Sequence, residues 1–491
     1  MKNFLLYLLF VPLFSFSQEQ IGFDINGEAS GDKSGTSLCL SADGSIVAIG
    51  APDTQSGSFA HSGQVRIFKN VSNSWKQIGK DINGTGNTDR SGTSVSLSDD
   101  GNIVAIGAYG NKDNGLSSGH VRIFENKSGV WTQLGNSING EAESDFFGIK
   151  VSISGNGKIV AIGATRNDGN GEDSGHVRVF ENNLGIWKQI GKSINGAFEG
   201  DESGSMLSLS SDGKVLAIGS ILNNGNGIES GHVRIFKYDS RTWNQIGKDI
   251  NGEAAYDNFG GAISLSSDGK ILAIGAINND GNGDRSGHVR VFENKSDTWE
   301  QIGNDIDGEN IRDRSGASVS LSSNGNIIAI GAIKNNDSGI FAGHVRIFKN
   351  NNGKWIKLGK DIDGEDRADG SGSSVSISSD GNILAIGAPL NDARGENSGH
   401  VRVYDVSIPA LSTNSLNKEY FSYYPNPVKN ELNLNLNTGL RLKQVNIYNI
   451  QSQYLYSVKT SKIDITNLPS GMYFFEVETN QGKSSKKIVI E

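Results

Sequence analysis

The chain has 491 residues, a net charge of -9 and 65 glycines, with helix formers sparse between short apolar runs, a composition that favours many strands and tight turns over helices. Mild acidity without a basic patch or aromatic stacking platforms excludes a nucleic-acid binder. Cys39 is the only cysteine, which excludes an intramolecular disulfide and a thiolate metal cage.

In chain order, "MKNFLLYLLFVPLFSFSQEQ" has a Lys, an apolar run and then small residues at Ser15 and Ser17. It reads as a secretory signal peptide over 1–17, too short and too poorly flanked for a membrane anchor, and no other segment is apolar enough to span a bilayer. Residues 18–405 are periodic. "AIGA" or a variant begins at Ala48, Ala105, Ala161, Ala217, Ala273, Ala329 and Ala385, at spacings of 57 and then 56 residues. Each unit holds four segments of strand character, "SVSLS", "VAIGA", "HVRIF" and "WxQIG", bounded by Gly, Asn, Asp or Ser. The predicted fold is therefore all-β, a seven-bladed β-propeller. Cys39 takes the place held by Ser96, Ser152, Ser208 and Ser264, where a small half-buried residue suffices.

The strands do not count evenly. The "VR" strand occurs seven times, from Arg66 to Arg402, whereas the Trp strand occurs six times, from Trp75 to Trp355. "EQIGFDINGE" at Glu19 matches "KQIGKDINGT" at Lys76 without its Trp. This N-terminal segment is expected to become the outer strand of the last blade, residues 20–25 pairing around Val401–Tyr404 and covering an otherwise open edge.

"DFFGIKVSISGNGKIVAIGA" (Asp145–Ala164) and "DNFGGAISLSSDGKILAIGA" (Asp257–Ala276) resemble FG-GAP repeats, the propeller repeats of integrin alpha chains and many bacterial surface proteins. Other units carry Ser-Gly in place of Phe-Gly, as at Ser34, Ser91 and Ser315. The family often holds calcium between its first two strands on a D-x-D-x-D-G loop. Here that connection is only "SADGS", "SDDGN" or a relative, one Asp or Asn before Gly44, Gly101, Gly157 or Gly213. That is a tight turn, not a cage of six to eight oxygens, so the family's calcium does not carry over to it.

Copies related by a propeller axis are held apart, one per blade, whereas an active site needs different residues at one point. The histidines His120, His176, His232, His288, His344 and His400, with the arginines beside them, therefore read as hydrogen-bonding parts of the blades. His61 lies in the preceding loop, and Gln64 takes its strand position. Asp32, Asp89, Asp145, Asp201, Asp257, Asp313 and Asp369 each precede "SG" or "FG" by two residues and are expected to accept their own loop's N–H groups. They also lie on the face where variable chemistry collects, since the loop into the first strand and the loop between the second and third share one side. That face is acidic and rich in Asn and Gly, and these seven Asp are its candidate ligand-binding residues. Calcium is the one cofactor considered. "NDGNGE", with Asp168, Asn170 and Glu172, and "NDGNGD", with Asp280, Asn282 and Asp284, alternate oxygen ligands, although the further bidentate acid of an EF-hand is not in place.

The period stops after Val406, and 406–419 reads as a linker. Residues 420–491 read as a small β-sandwich of alternating strands, "LNLNL", "QVNIYNI", "YLYSVK", "KIDIT", "MYFFEVET" and "KKIVIE". Pro425, Pro427, Gly471, Tyr473, Gly482 and Lys486-Lys487 fall in the order of the type A C-terminal sorting domain of type IX secretion, which this unit resembles. The resemblance implies recognition by that export machinery and a secreted or outer-membrane-surface protein. Two functions follow: a binding or adhesion module meeting protein or glycan through the acidic loop face, or a glycan hydrolase or lyase in the central mouth. The near-interchangeable units, with no carboxylate pair standing out, favour the first and a chain that is not an enzyme.

Overall fold

The computed structural model describes residues 18–407, 421–436, 440–449, 454–479 and 482–490. The expected signal segment 1–17 and most of the expected linker lie outside the described residues. The chain divides into two compact units, 1–408 and 409–491.

The first unit is a ring of seven antiparallel sheets, each a blade. In blade 1 the order is Ser37–Leu40, Ile46–Ala51, Gln64–Asn70 and Trp75–Gln77, and the outer strand resumes at Ile82–Asn83 after a break with Gly79 at φ +72°. In blade 6 the outer strand runs unbroken over Lys354–Asp363. The second strand, "VAIGA", is buried along its length because it is sandwiched by neighbouring blades on both faces.

Packing is between blades. Seven apolar clusters each join two successive blades; Val65, Ile67 and Ile82 of blade 1, for example, meet Val104, Ile106 and Phe124 of blade 2. The last cluster joins Ala385, Val401 and Val403 of blade 7 to Leu38, Leu40 and Val47 of blade 1. The repeated glycines mark where backbones touch. A Cβ on Gly163 would overlap the carbonyl oxygen of Gly204 in the next blade, so "AIG" and "SG" are two halves of one close approach.

Three further ties run around the ring. Trp131 Nε1 donates to the Ile78 carbonyl at 2.9 Å, and Trp75, Trp187, Trp243 and Trp355 repeat the bond to the blade before. Ser96 Oγ accepts the Ile153 N–H; in blade 1 Cys39 Sγ does the same for Leu97 at 3.4 Å, and burial pushes its thiol pKa up. Around the axis, the backbone N–H groups of Ala42, Asp99, Gly155, Ser211, Ser267, Ser323 and Ser379 each donate to the carbonyl of the next, and Ser379 donates back to Ala42 at 2.8 Å. That circle of seven bonds closes the ring at its turn end.

The expected exchange at the ends of the repeat is present. Glu19 and Gln20 pair with Asp405 and Tyr404, Ile21 donates to the Val403 carbonyl, and Ile25 and Asn26 pair with Val401 and His400.

The second unit has one sheet of Phe421–Tyr424, Glu431–Leu436 and Lys462–Asp464 and another of Tyr454–Val458, Leu442–Asn449, Gly471–Thr479 and Gly482–Ile490. Their inner residues, among them Phe421, Leu432, Ile447, Phe475 and Ile488, form one apolar core. All six expected strands are present, and Phe421–Tyr424 is an additional one.

Candidate functional site

The longer loops gather on one face, as the strand directions require. Each loop between second and third strands pairs with the loop leading into the next blade: the N–H groups of Thr88, Ser144, Gly200, Tyr256, Arg312 and Ala368 donate to the carbonyls of Ala60, Leu116, Glu172, Ile228, Asp284 and Ile340, and Gly31 to Glu396 closes the series. Backbone bonds thus fix the loop positions and leave the tips to vary.

The seven Asp of the repeat are where the sequence placed them but are turned inward, 1–4% exposed. Asp32 accepts the N–H groups of Glu28 and Ala29, and Asp201 those of Ala197 and Phe198. Asp89, Asp145, Asp257, Asp313 and Asp369 are held likewise by Thr85, Ala142, Glu253 and Ala254, Asn310 and Asp366. In six blades an Asn amide from the loop after the second strand, such as Asn223 on Asp201 at 3.0 Å, locks the same carboxylate. Their observed contacts are internal to the loops and show no carboxylate presented at the surface.

The residues considered for calcium also serve their loops. Asp168 accepts the Asp173 N–H, and Asp280 that of Arg285. The Asn170 and Asn282 amides donate across to Gly196 and Gly308 carbonyls of the neighbouring loop. Arg312 Nε lies 2.8 Å from Asp284 and holds that carboxyl below the usual range, while Glu172 is exposed. The tight turns behave as expected: Asp43 accepts from Ser41 and Ser45, and although burial raises its pKa these bonds outweigh it and hold the carboxyl low.

What the sequence reading missed is the apolar content of the same face. Phe59, Leu116, Phe198, Ile228, Tyr256, Ile311, Ile340, Phe341 and Leu390 are 40–66% exposed, and all sit on these loops. Tyr256 and Ile228 belong to two strand-linking loops joined by a 2.7 Å backbone bond. The signal was present as bulky side chains inside Gly- and Asp-rich loops, where folding alone asks for none.

The repeated arginines join blades. Arg122 donates to the Asn83 carbonyl of the preceding blade at 2.7 Å and to Ser91 Oγ at 3.3 Å. Where Ser-Gly becomes Phe-Gly, the guanidinium lies on the ring instead, Arg178 at 4.5 Å from Phe147 and Arg290 at 4.2 Å from Phe259. The six histidines from His120 to His400 are buried at the head of the third strands, and His61 is exposed in its loop. Burial, reinforced by the adjacent Arg178 and Arg402, brings the pKa of His176 and His400 down to about 4, and burial does the same for His288.

At the axis the repeat breaks its own rule. Lys150 stands where four blades have Ser37, Ser94, Ser318 and Ser374, and burial lowers its pKa. Asp99 reaches across to accept Ser211 Oγ at 2.9 Å, two blades on.

Comparison with known proteins matches residues 83–124, 139–180 and 251–292 to the FG-GAP repeat and residues 422–491 to the secretion system C-terminal sorting domain. Among solved structures, hydrazine synthase of Kuenenia stuttgartiensis is similar in fold, with 12% identity and a TM-score of 0.50 over 79% of this chain and 98% of that one. The β-propeller domain of Cps50 (Swd1) from Myceliophteria thermophila aligns over 80% of this chain and 99% of its own, at 11% identity and a TM-score of 0.46. No curated protein matches. The chain thus carries FG-GAP repeats in a β-propeller and a type IX sorting domain, which indicates a secreted or cell-surface location and interaction with the type IX export machinery.

Proposed function

We propose that this exported FG-GAP propeller is a binding and adhesion module whose loop face meets protein or glycan outside the cell. The observation that carries the reading is the set of exposed apolar side chains on that face, Phe198, Tyr256, Ile311 and Phe341 among them. Exposed aromatic rings cost solvation and add nothing to the inter-blade cores, whereas they supply contact area to a partner at little entropy cost. The interspersed acids would give orientation and specificity more than affinity. A rigid scaffold presenting variable loops suits recognition, and the polar atoms of the repeated Asp and Asn already serve to hold those loops still.

A test is a glycan array and a cell-surface pull-down with the purified protein beside a Phe198→Ser, Tyr256→Ser, Phe341→Ser variant. The expected result is capture by the native protein and a loss of roughly tenfold or more in affinity for the variant at unchanged melting temperature, since removing even one well-packed aromatic costs about 2 kcal/mol of binding. Equal binding by both proteins would move the ligand site off this face.

A further inference from the structure

Three blades bring a histidine together with acids from two or three other segments. In blade 7, His400 Nδ1 is 3.7 Å from Asp24 Oδ2 and 3.8 Å from Glu365 Oε2. In blade 5, His288 Nδ1 is 3.6 Å from Asp305 Oδ2 and 4.0 Å from Glu253 Oε2. Within each triad one ligand atom per residue lies within 4.8 Å of the others. The imidazole of His400 is 1% exposed, and neither of its nitrogens has a hydrogen-bond partner, although a buried polar atom is normally satisfied. The acids are too far from it to accept its proton and close enough to share an ion with it.

We propose that Asp24, Glu365 and His400 form a site for a divalent transition-metal ion, zinc above all, and that Glu253, His288 and Asp305 form a second copy. Nitrogen with two carboxylate oxygens suits zinc, whereas calcium takes oxygen only. Tetrahedral bonds of about 2.0–2.2 Å place ligand atoms roughly 3.3–3.5 Å apart, so ligand atoms that lie within 4.8 Å of one another would close in around the ion, the histidine–acid pairs by up to about half an ångström. The acids are partly exposed, 26% for Asp24 and 42% for Glu365, which leaves water access for a fourth ligand. Gln20 Nε2 holds the other oxygen of Asp24 at 2.6 Å, and Gln301 does the same for Asp305, aiming the remaining oxygen at the imidazole as an outer partner of a metal ligand would. Arg402 and Arg290 reach the far oxygens of Glu365 and Glu253 at 3.7 and 3.5 Å.

Blade 6 shows what happens when the position is already filled. Glu309, Asp337, His344 and Asp361 converge in the same way, but Lys357 stands where the other blades have glutamine, and its Nζ lies 2.9 Å from Glu309 and 2.6 Å from Asp361. The ammonium replaces the ion there. The other blades lack at least one of the three ligands: Gln64 replaces the histidine in blade 1, Thr85 and Ser137 replace both acids in blade 2, Ser193 replaces the second acid in blade 3, and Ala197 replaces the first in blade 4. In blade 7 the ion would clasp the N-terminal strand, through Asp24, to the blade that it completes.

Equilibrium dialysis of the full chain, free of any histidine tag, against about 50 µM zinc followed by elemental analysis should give two ions per chain. The Asp24→Asn, Glu365→Gln pair should remove one, and Glu253→Gln, Asp305→Asn the other. These acids are part-exposed and the amides are of the same size, so metal-free melting temperatures should stay level and show that the variants fold. Cobalt should give d–d absorption in the native chain that vanishes in the fourfold variant. No bound ion in the native chain, or undiminished binding in the fourfold variant, overturns the proposal.

Discussion

Burial holds His176, His288 and His400 neutral, with pKa values near 4 against the usual 6.5, and this makes the fold sensitive to acid. The unfolded chain takes up protons near pH 6.5 that the folded chain refuses until about pH 4. Stability is therefore complete above about pH 7 and falls between 6.5 and 4, by at most about 1.4 kcal/mol per pH unit for each histidine. Glu253 and Glu365, raised by burial, bind protons more readily folded than unfolded and offset part of the loss in that window. Denaturant midpoints measured in metal-free buffer should be level from pH 8 to 7 and drop at pH 5; a level midpoint through pH 5 would show that the folded imidazoles accept protons. The repeat made each histidine legible, but not its acidic neighbours, because Asp24 and His400 are at opposite ends of the propeller sequence.

At the scale of elements, the propeller depends on a segment that contributes only a few paired residues. Ile25 enters the apolar cluster of Leu38, Leu40 and Val401, and Glu19, Gln20, Ile25 and Asn26 supply the outer edge of blade 7. Deleting residues 18–28 leaves that cluster open and the outer edge of the third strand of blade 7 unpaired. The melting temperature should fall by several degrees or the protein should aggregate, since burying one such side chain is worth about 2 kcal/mol and an unpaired edge invites association. An unchanged monomeric transition would show that the axial ring and the other clusters hold the blades without this strand. The missing seventh Trp made this closure readable in advance.

Across the whole molecule, two compact units divide the labour. The propeller holds its structure through contacts between successive blades, and the sorting domain has its own core. A chain truncated after Val406 should therefore fold yet fail to be exported, accumulating in the periplasm, while the full chain reaches the surface or medium. Cell fractionation with a protease-protection assay distinguishes the two. Efficient export of the truncated chain would mean that residues 420–491 are not the address and would favour reading them as a second binding module.

The period, the order of strands, the exchange at the ends and the sorting domain were all determined by sequence, because each depends on local alternation, turn residues and a count of copies. The inward turn of the seven Asp was half legible: Gly-rich turns predict N–H acceptance, but the locking Asn lies 22 residues away. The crossing of Asp99 to Ser211 and the meeting of His400 with Asp24 and Glu365 were decided only by the tertiary structure. They depend on which side chains from different blades arrive at one place, a matter of ring closure and burial that no spacing along the chain encodes.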